Sequence, residues 1–284
     1  MTKKLGLAVA LIGLAVPASA DAQVARTWVS QAGTDANDCS YATPCLSFSR
    51  AAEGLIEGGE INAESDGNFL EFSINKSMTI DGRGHSVSIT AFDDGIKVNA
   101  PGDKVTIRNL HIQGFNPGSG DGIDVVNVGH LRLNHMSIRS MGGHGVDFRS
   151  APSPSRLTIS HSEITDVGGN GIYAAPTGSG PAAKRVLVRD SEIDANGGSG
   201  IVVGSGTSNF VLVNVFESSL SDNTSVGLYV EGSKTRARIG QNVITGNGTY
   251  GLRPVSGAQI ISYGNNRIFD NAVNGAPTSV VGEN

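Results

Sequence analysis

The chain has 284 residues and a formal net charge of −5; 39 residues are Gly, aromatic residues make up only 5% and charged residues 17%. So much glycine with so few aromatics argues against a helical bundle, and no Gly-X-Y period runs through it, which excludes collagen. With 38% hydrophobic residues spread along its length, the sequence holds enough apolar material for a core, does not read as disordered, and predicts a turn-rich β protein.

Lys3 and Lys4 precede an apolar run from Leu5 to Val16, followed by Pro17 and the small residues Ala18-Ser19-Ala20. Positive, apolar and small segments in that order describe a secretory signal peptide over residues 1–22, cleaved after Ala20 or Ala22. The run is too short to span a bilayer, and no later run approaches the roughly 18 residues that a membrane helix needs. The expected product is therefore secreted or periplasmic, with no membrane span. Loss of Lys3 and Lys4 makes it more acidic, which disfavours nucleic acid as a partner.

Residues 27–69 form an N-terminal lead-in. Cys39 and Cys45 are the only cysteines, and in an oxidising compartment they are expected to form a local disulfide that pins one loop. Leu46 to Glu57 carries Phe48, Ala51, Ala52, Leu55 and Ile56 and stops at Gly58-Gly59, a pattern that predicts an amphipathic cap helix. From Leu70 to Gly95 the chain alternates, as in Met78-Thr79-Ile80 and Val87-Ser88-Ile89, and reads as a first, less regular circuit of a repeat.

The repeat then becomes explicit. A phrase of Gly, an aliphatic residue, any residue and usually a second aliphatic recurs at Ile96, Ile123, Val146, Ile172, Ile201, Leu228 and Leu252. A second file follows in phase at Ile112, Ile138, Ile164, Ile193, Leu220, Ile244 and Ile268, with spacings of 26, 26, 29, 27, 24 and 24. Five residues before each lies a third file, Ile107, Leu133, Ile159, Val188, Val215, Ile239 and Tyr263. Each file sits in a short alternating segment bounded by Gly, Asn, Asp or Ser, which marks a strand. No segment between them is long enough for a crossover helix, so parallel pairing must come from coiling.

The predicted fold is therefore all-β, a right-handed parallel β-helix of about eight turns over residues 70–275, with a tail at 276–284. Successive circuits stack about 4.8 Å apart, giving a rod of roughly 38 Å. Three residues after the second file, Asn196, Asn223, Asn247 and Asn271 are expected to form an amide ladder along the stack.

Trp28-Val29-Ser30, Gly33-Thr34-Asp35-Ala36-Asn37, Thr43-Pro44 and Ser47-Phe48-Ser49-Arg50-Ala51, with the Gly-Ile-x-Val circuits that follow, resemble secreted proteins of the pectate-lyase-like β-helix superfamily over about residues 27 to 275. That superfamily includes polysaccharide lyases, glycoside hydrolases, epimerases, phage tailspikes and adhesins, so the resemblance implies a polysaccharide or cell-envelope glycan as partner rather than one reaction. Gly143-His144-Gly145 is similar to the Gly-His-Gly element of polygalacturonases. Their Asn-Thr-Asp and Arg-Ile-Lys elements are absent, and Asp93-Asp94 lies about two turns before His144 where one is expected.

In the Gly-Ile-x-Val strands alternation sends the middle residue outward, so Lys97, Asp124, Asp147, Tyr173, Val202, Tyr229 and Arg253 share one face. Before each Gly stands a further column, Asp94, Asp121, His144, Asn170, Ser199, Val226 and Tyr250. Asp124 and Asp147 then fall on neighbouring strands about 5 Å apart, an unfavourable arrangement without a cation or proton between them. Three readings follow. Asp121, Asp124, His144, Asp147 and Arg149 are candidate catalytic residues, with Asp124 and Asp147 at a retaining separation and Asp121 to Asp147 at a longer, inverting one. Asp94, Asp121, Asp124 and Asp147 are candidate Ca²⁺ ligands, with Arg149 or Lys97 as the base of a lyase-like reaction. The plain alternative is a solvated, turn-rich face on which Lys97 and Arg149 neutralise their neighbours. Lys97, Tyr173 and Tyr229 are candidate substrate-binding residues, the tyrosines through stacking on sugar rings. The competing functional class is a non-enzymatic adhesion-type or structural rod.

Overall fold

The computed structural model describes residues 23–116, 118–149, 154–175, 183–204 and 210–282. The expected signal peptide lies outside them. Among the described residues no helix is long and apolar enough to cross a membrane.

The chain winds as a parallel β-solenoid whose circuits have three faces. The first carries the Gly-Ile-x-Val strands, from Phe72–Ile74 through Val146–Asp147 to Tyr250–Val255. The second runs from Leu55–Ala63 through Ser155–Ser160 to Gln259–Ser262. These two share the long strands Ile96–Arg108 and Ile123–Asn134. The third is a separate sheet of nine strands, from Gly67–Leu70 to Arg267–Phe269. Every strand pairing in both sheets is parallel, such as Ile138 with Ile112 and Ile164, or Ile159 with Leu133 and Val188.

The three aliphatic files do what a solenoid requires of them. Ile123, Val146, Ile172 and Ile201 on the first face, and Ile112 through Ile244 on the third, have no accessible surface. Burying each such side chain is worth about 1.5–3 kcal/mol before chain entropy is subtracted. Two positions depart from the expected files. Ser262, not Tyr263, sits beside Ile239. Tyr263 falls one place later, on the outer side, where its ring packs 5.9 Å from Phe216. Ile268, at the end of the rod, is only half-buried because no further circuit covers it.

The glycine of the repeated phrase is fixed by the stacking distance. A Cβ at Gly122, Gly145, Gly171, Gly200 or Gly227 would stand 2.6 to 2.8 Å from the carbonyl oxygen of the corresponding glycine on the next circuit, closer than carbon and oxygen can approach. Between the second and third faces the chain turns on a single residue in the left-handed region. Non-glycine residues fill that corner, including Asn109, His135, His161, Asp190, Glu217 and Gln241.

The asparagine ladder forms as expected. Asn196 Nδ2 donates to Asn223 Oδ1 (2.9 Å), Asn223 to Asn247 (3.0 Å) and Asn247 to Asn271 (2.7 Å). Each receiving oxygen also accepts a backbone N–H from the circuit before it. A second ladder runs along the other side of the third face. The backbone N–H of Ser162 donates to Ser191 Oγ, that of Ser191 to Ser218 Oγ, and that of Ser218 to Asn242 Oδ1.

At the N-terminal end Cys39 and Cys45 are joined in a disulfide. The cap helix spans only Phe48–Glu53, with Ser47 Oγ accepting the Arg50 N–H. It is shorter than the expected Leu46 to Glu57 because Leu55–Ala63 is a strand, paired in parallel with Val24–Val29. An isolated helix of about three turns is marginal in water, whereas the strand is held by a ladder on each side. Phe48 still closes the rod, its ring 5.0 Å from both Phe69 and Phe72. At the other end Ser279–Val280 pairs with Ile261 and Ser262, so the tail extends the second face over the last circuit.

Candidate functional site

Strand register places Lys97 beside Asp124, Asp124 beside Asp147 and Asp147 beside Tyr173. One column to the N-terminal side, Asp94, Asp121 and His144 climb the same three circuits. That column is a hydrogen-bonded stack. Asp94 Oδ1 accepts the Asp121 N–H (2.9 Å), Asp121 Oδ1 the His144 N–H (2.6 Å), His144 Nδ1 the Asn170 N–H (2.9 Å) and Asn170 Oδ1 the Ser199 N–H (2.8 Å). The sequence points to this stack in retrospect, because every residue from Asp94 to Ser199 in that column has a side-chain acceptor.

His144 is constrained further. A backbone N–H can only donate, so Nδ1 is the bare nitrogen and the proton sits on Nε2. Burial pushes its pKa below the ordinary value and nearby Arg149 acts the same way, against the pull of Asp121, so the imidazole stays neutral. The Tyr173 ring packs against it at 4.9 Å.

Asp147 departs from the expected solvated face. It is on the outer side of its strand, yet none of it is accessible. The exposed Arg149 guanidinium lies against its carboxylate. Burial raises the Asp147 pKa to about 6, against the lowering effect of Arg149, and the charges of Asp121 and Asp124 add to the rise. Asp94 is also raised, chiefly by burial. One ligand atom each from Asp121, His144 and Asp147 lies within 4.8 Å of the others.

The two cations occupy the carboxylates. Lys97 Nζ is 3.1 Å from Asp124 and 3.8 Å from Asp94, and its hydrogen bond to Asp124 raises its pKa. Burial lowers that of Arg149, but its bond to Asp147 and the charges of Asp147, Asp121 and Asp124 together outweigh this and raise it. Both are held protonated in this arrangement, and a lyase-like base among them has first to give up that proton. Of the four candidate Ca²⁺ ligands, Asp94 and Asp124 meet Lys97 and Asp147 meets Arg149, so an ion bound there displaces these cations. The inverting separation expected between Asp121 and Asp147 is absent. An oxygen of one lies within 4.8 Å of an oxygen of the other, short of the roughly 6.5–9.5 Å that places a water between them.

Tyr229 stands apart from this group, two strands beyond Tyr173 in register. Its hydroxyl is 3.4 Å from Glu231, and Arg253 lies 5.9 Å from its ring. A shallow cleft of about 390 Å³ opens at the corner preceding His144, lined by Phe115, Met141, Gly142 and Asp166 among others. Phe92 and Phe115, both exposed, pack 4.7 Å apart beside it. No sequence pattern had marked Phe92.

Among solved structures, pectate lyase Pel9A matches with a TM-score of 0.63 at 15% identity, over 93% of this chain and 78% of that one. The Azotobacter vinelandii mannuronan C-5 epimerase AlgE4 A-module matches at 14% identity with a TM-score of 0.47, over 91% of this chain and 89% of that one. A rhamnogalacturonan lyase matches at 12% identity with a TM-score of 0.46, over 84% and 72%. At such identities the likeness is one of fold. No curated protein matches the chain. The family model described as the right handed beta helix region matches residues 94–268, more than half of the sequence and all the circuits that carry the acidic site, and the chain belongs to that family.

Proposed function

We propose that this chain is exported and acts on an envelope or extracellular polysaccharide, cleaving a glycosidic bond on the first face with Asp147 as proton donor and Asp121 as the facing carboxylate. One observation carries the reading: a fully buried carboxyl with a pKa near 6 has a second carboxylate and a neutral imidazole within 4.8 Å. A buried carboxyl with a raised pKa facing a second carboxylate suits acid and nucleophile roles. Asp147 protonates the leaving oxygen while Asp121 attacks the anomeric carbon. Water then hydrolyses the glycosyl ester, with Asp147 as base. His144 Nε2–H is a donor for a sugar hydroxyl. Arg149 covers Asp147, so substrate must draw it away; a uronate carboxylate, by pairing with Arg149, does this while entering the site. The cleft beside Phe92 and Phe115 offers an apolar wall for a neighbouring sugar ring.

The test is release of reducing ends from a panel of acidic and neutral glycans, by the wild-type protein and by Asp147→Asn. Reducing ends from the wild type and their loss in the variant are expected. Unsaturated products in place of simple reducing ends would overturn hydrolysis.

A second reading, a non-enzymatic rod, is favoured by a specific observation. Asp121 and His144 each hold the next circuit's backbone N–H, a structural task complete in itself. Glycan binding without any released product would support it.

A further inference from the structure

The second face carries cations in two adjacent outward columns. Register places Lys104, His130, Arg156 and Arg185 in one line, with Leu212 and then Arg236 beyond. Beside it run Thr106, Arg132, Thr158, Leu187, Asn214 and Arg238. Lys104, Arg132, Arg156, Arg185 and Arg236 are exposed.

Cations stacked at the strand spacing of about 4.8 Å repel one another, and this chain elsewhere avoids such an arrangement. Arg26, Arg83, Lys97, Arg108, Arg149 and Arg189 each meet a carboxylate. Among the described residues no carboxylate pairs with Lys104, Arg132, Arg156, Arg185, Arg236 or Arg238. His130, in their midst, has its pKa lowered to about 4, first by burial and then by Arg132, Arg156 and Lys104. A concavity of about 340 Å³ lies between them, lined by Gly129, His130, Ser155, Arg156 and Arg185. Arg236 Nε donates to Gln259 Oε1 at 2.8 Å and His130 Nε2 meets Thr158 Oγ1 at 3.1 Å, but neither partner carries charge, and a basic line without carboxylates on a chain of net charge −5 calls for an anion from outside.

We propose that the second face is a binding track for a linear acidic polysaccharide, lying along the rod axis with its charges against Lys104, Arg132, Arg156 and Arg185. The spacing favours this class of partner. One charged pyranose spans roughly one strand spacing, so sugars and circuits keep step over several repeats, whereas phosphates in duplex DNA follow every 3.4 Å or so along a strand. Asn214 stands in the same columns as a hydrogen-bonding partner for hydroxyls. The two columns contain no Phe, Tyr or Trp on which nucleobases would stack. The track is around the corner from the acidic site and does not depend on the reaction proposed there.

The test is binding of alginate and polygalacturonate to the full-length chain, with dextran and single-stranded DNA as comparisons. The proposal expects binding to both acidic glycans that weakens as salt rises, none to dextran, and about a tenfold or greater loss in Arg132→Gln/Arg156→Gln/Arg185→Gln. A second variant, Lys104→Gln/Arg236→Gln/Arg238→Gln, should lose less because Arg236 and Arg238 lie beyond the Leu212 gap. Arg139→Gln/Arg267→Gln, which removes two exposed cations from the third face, should bind as the wild type does, which separates the track from positive charge in general. Unchanged affinity in a normally melting triple variant overturns the proposal. So does an equal loss in the third-face variant, or tighter binding of DNA through the same arginines.

Discussion

The Asp147 carboxylate is sealed from solvent by Arg149, a residue two places further along the chain, and its pKa stands near 6 against an ordinary value of 3.8. The folded state therefore holds the Asp147 proton more tightly than the unfolded chain. The stability tied to this group is full below about pH 4 and is lost as pH rises through 6. Asp147→Asn carries no such charge. The gap in unfolding free energy between variant and wild type should be small at pH 4 and reach about 3 kcal/mol in the variant's favour by pH 8. Urea denaturation at a series of pH values measures it; a gap that stays constant with pH counts against a raised Asp147.

Lys184 presents the opposite case. Its side chain points into the coil, 3% exposed, with Nζ 5.7 Å from the Phe148 ring and no hydrogen-bond partner. Burial lowers its pKa to about 8. Stability linked to this group is full above its ordinary value of 10.5 and is lost as pH falls through 8. Lys184→Met keeps the length and removes the charge, and should stabilise the fold by about 3 kcal/mol at pH 7 with little effect above pH 10. Thermal melting across that range decides the point.

Along the asparagine ladder the cost of deletion should depend on position. Asn223 accepts from Asn196 and donates to Asn247 and to the Ile193 carbonyl, all buried. Asn223→Ala leaves several of these groups unpaired, each at about 1–3 kcal/mol. Asn271, at the partly exposed end, bonds where water can substitute, so Asn271→Ala should cost about 1 kcal/mol. Denaturant midpoints of the two variants should differ accordingly, and equal midpoints would refute a buried ladder.

The repeated glycine makes a sharper case. In Gly171→Ala the new methyl meets the Gly200 carbonyl oxygen at 2.8 Å and also the Ile193 side chain. Because the carbonyl belongs to a stacked circuit, it yields only by separating the strands, and a loss of about 1–3 kcal/mol is expected. Gly54→Ala, where a Cβ meets nothing within 4 Å, is the control and should melt close to the wild type.

Much of the coil was legible because its physics is periodic. Side chains that stack at one-circuit intervals must recur at that interval, and Ile112 through Ile268 do so without a gap. The asparagines were legible for the same reason. Asp147 was not. Alternation reports the side of a strand on which a residue stands, whereas its burial depends on where the Arg149 side chain folds, and no period encodes that. Tyr263 stands off its expected file because the corner before Ile268 is one residue longer than the one before Ile244, so Ser262 lies beside Ile239, and a fixed interval of five residues does not show this. The short helix shows a further limit. Leu55 and Ile56 fit a helical stripe, but the neighbouring strand Val24–Val29 offered a better use for their backbone.

The one-residue corners and the interlocking amides make overall length a separable property of this protein. Asn196 and Asn223 hold equivalent places, so excising residues 196–222 would hand the Val167 N–H from one amide oxygen to an identical one and rejoin the chain in step. Neither end would be exposed by the cut. Such a molecule can be shortened or lengthened by whole circuits while both closures stay intact.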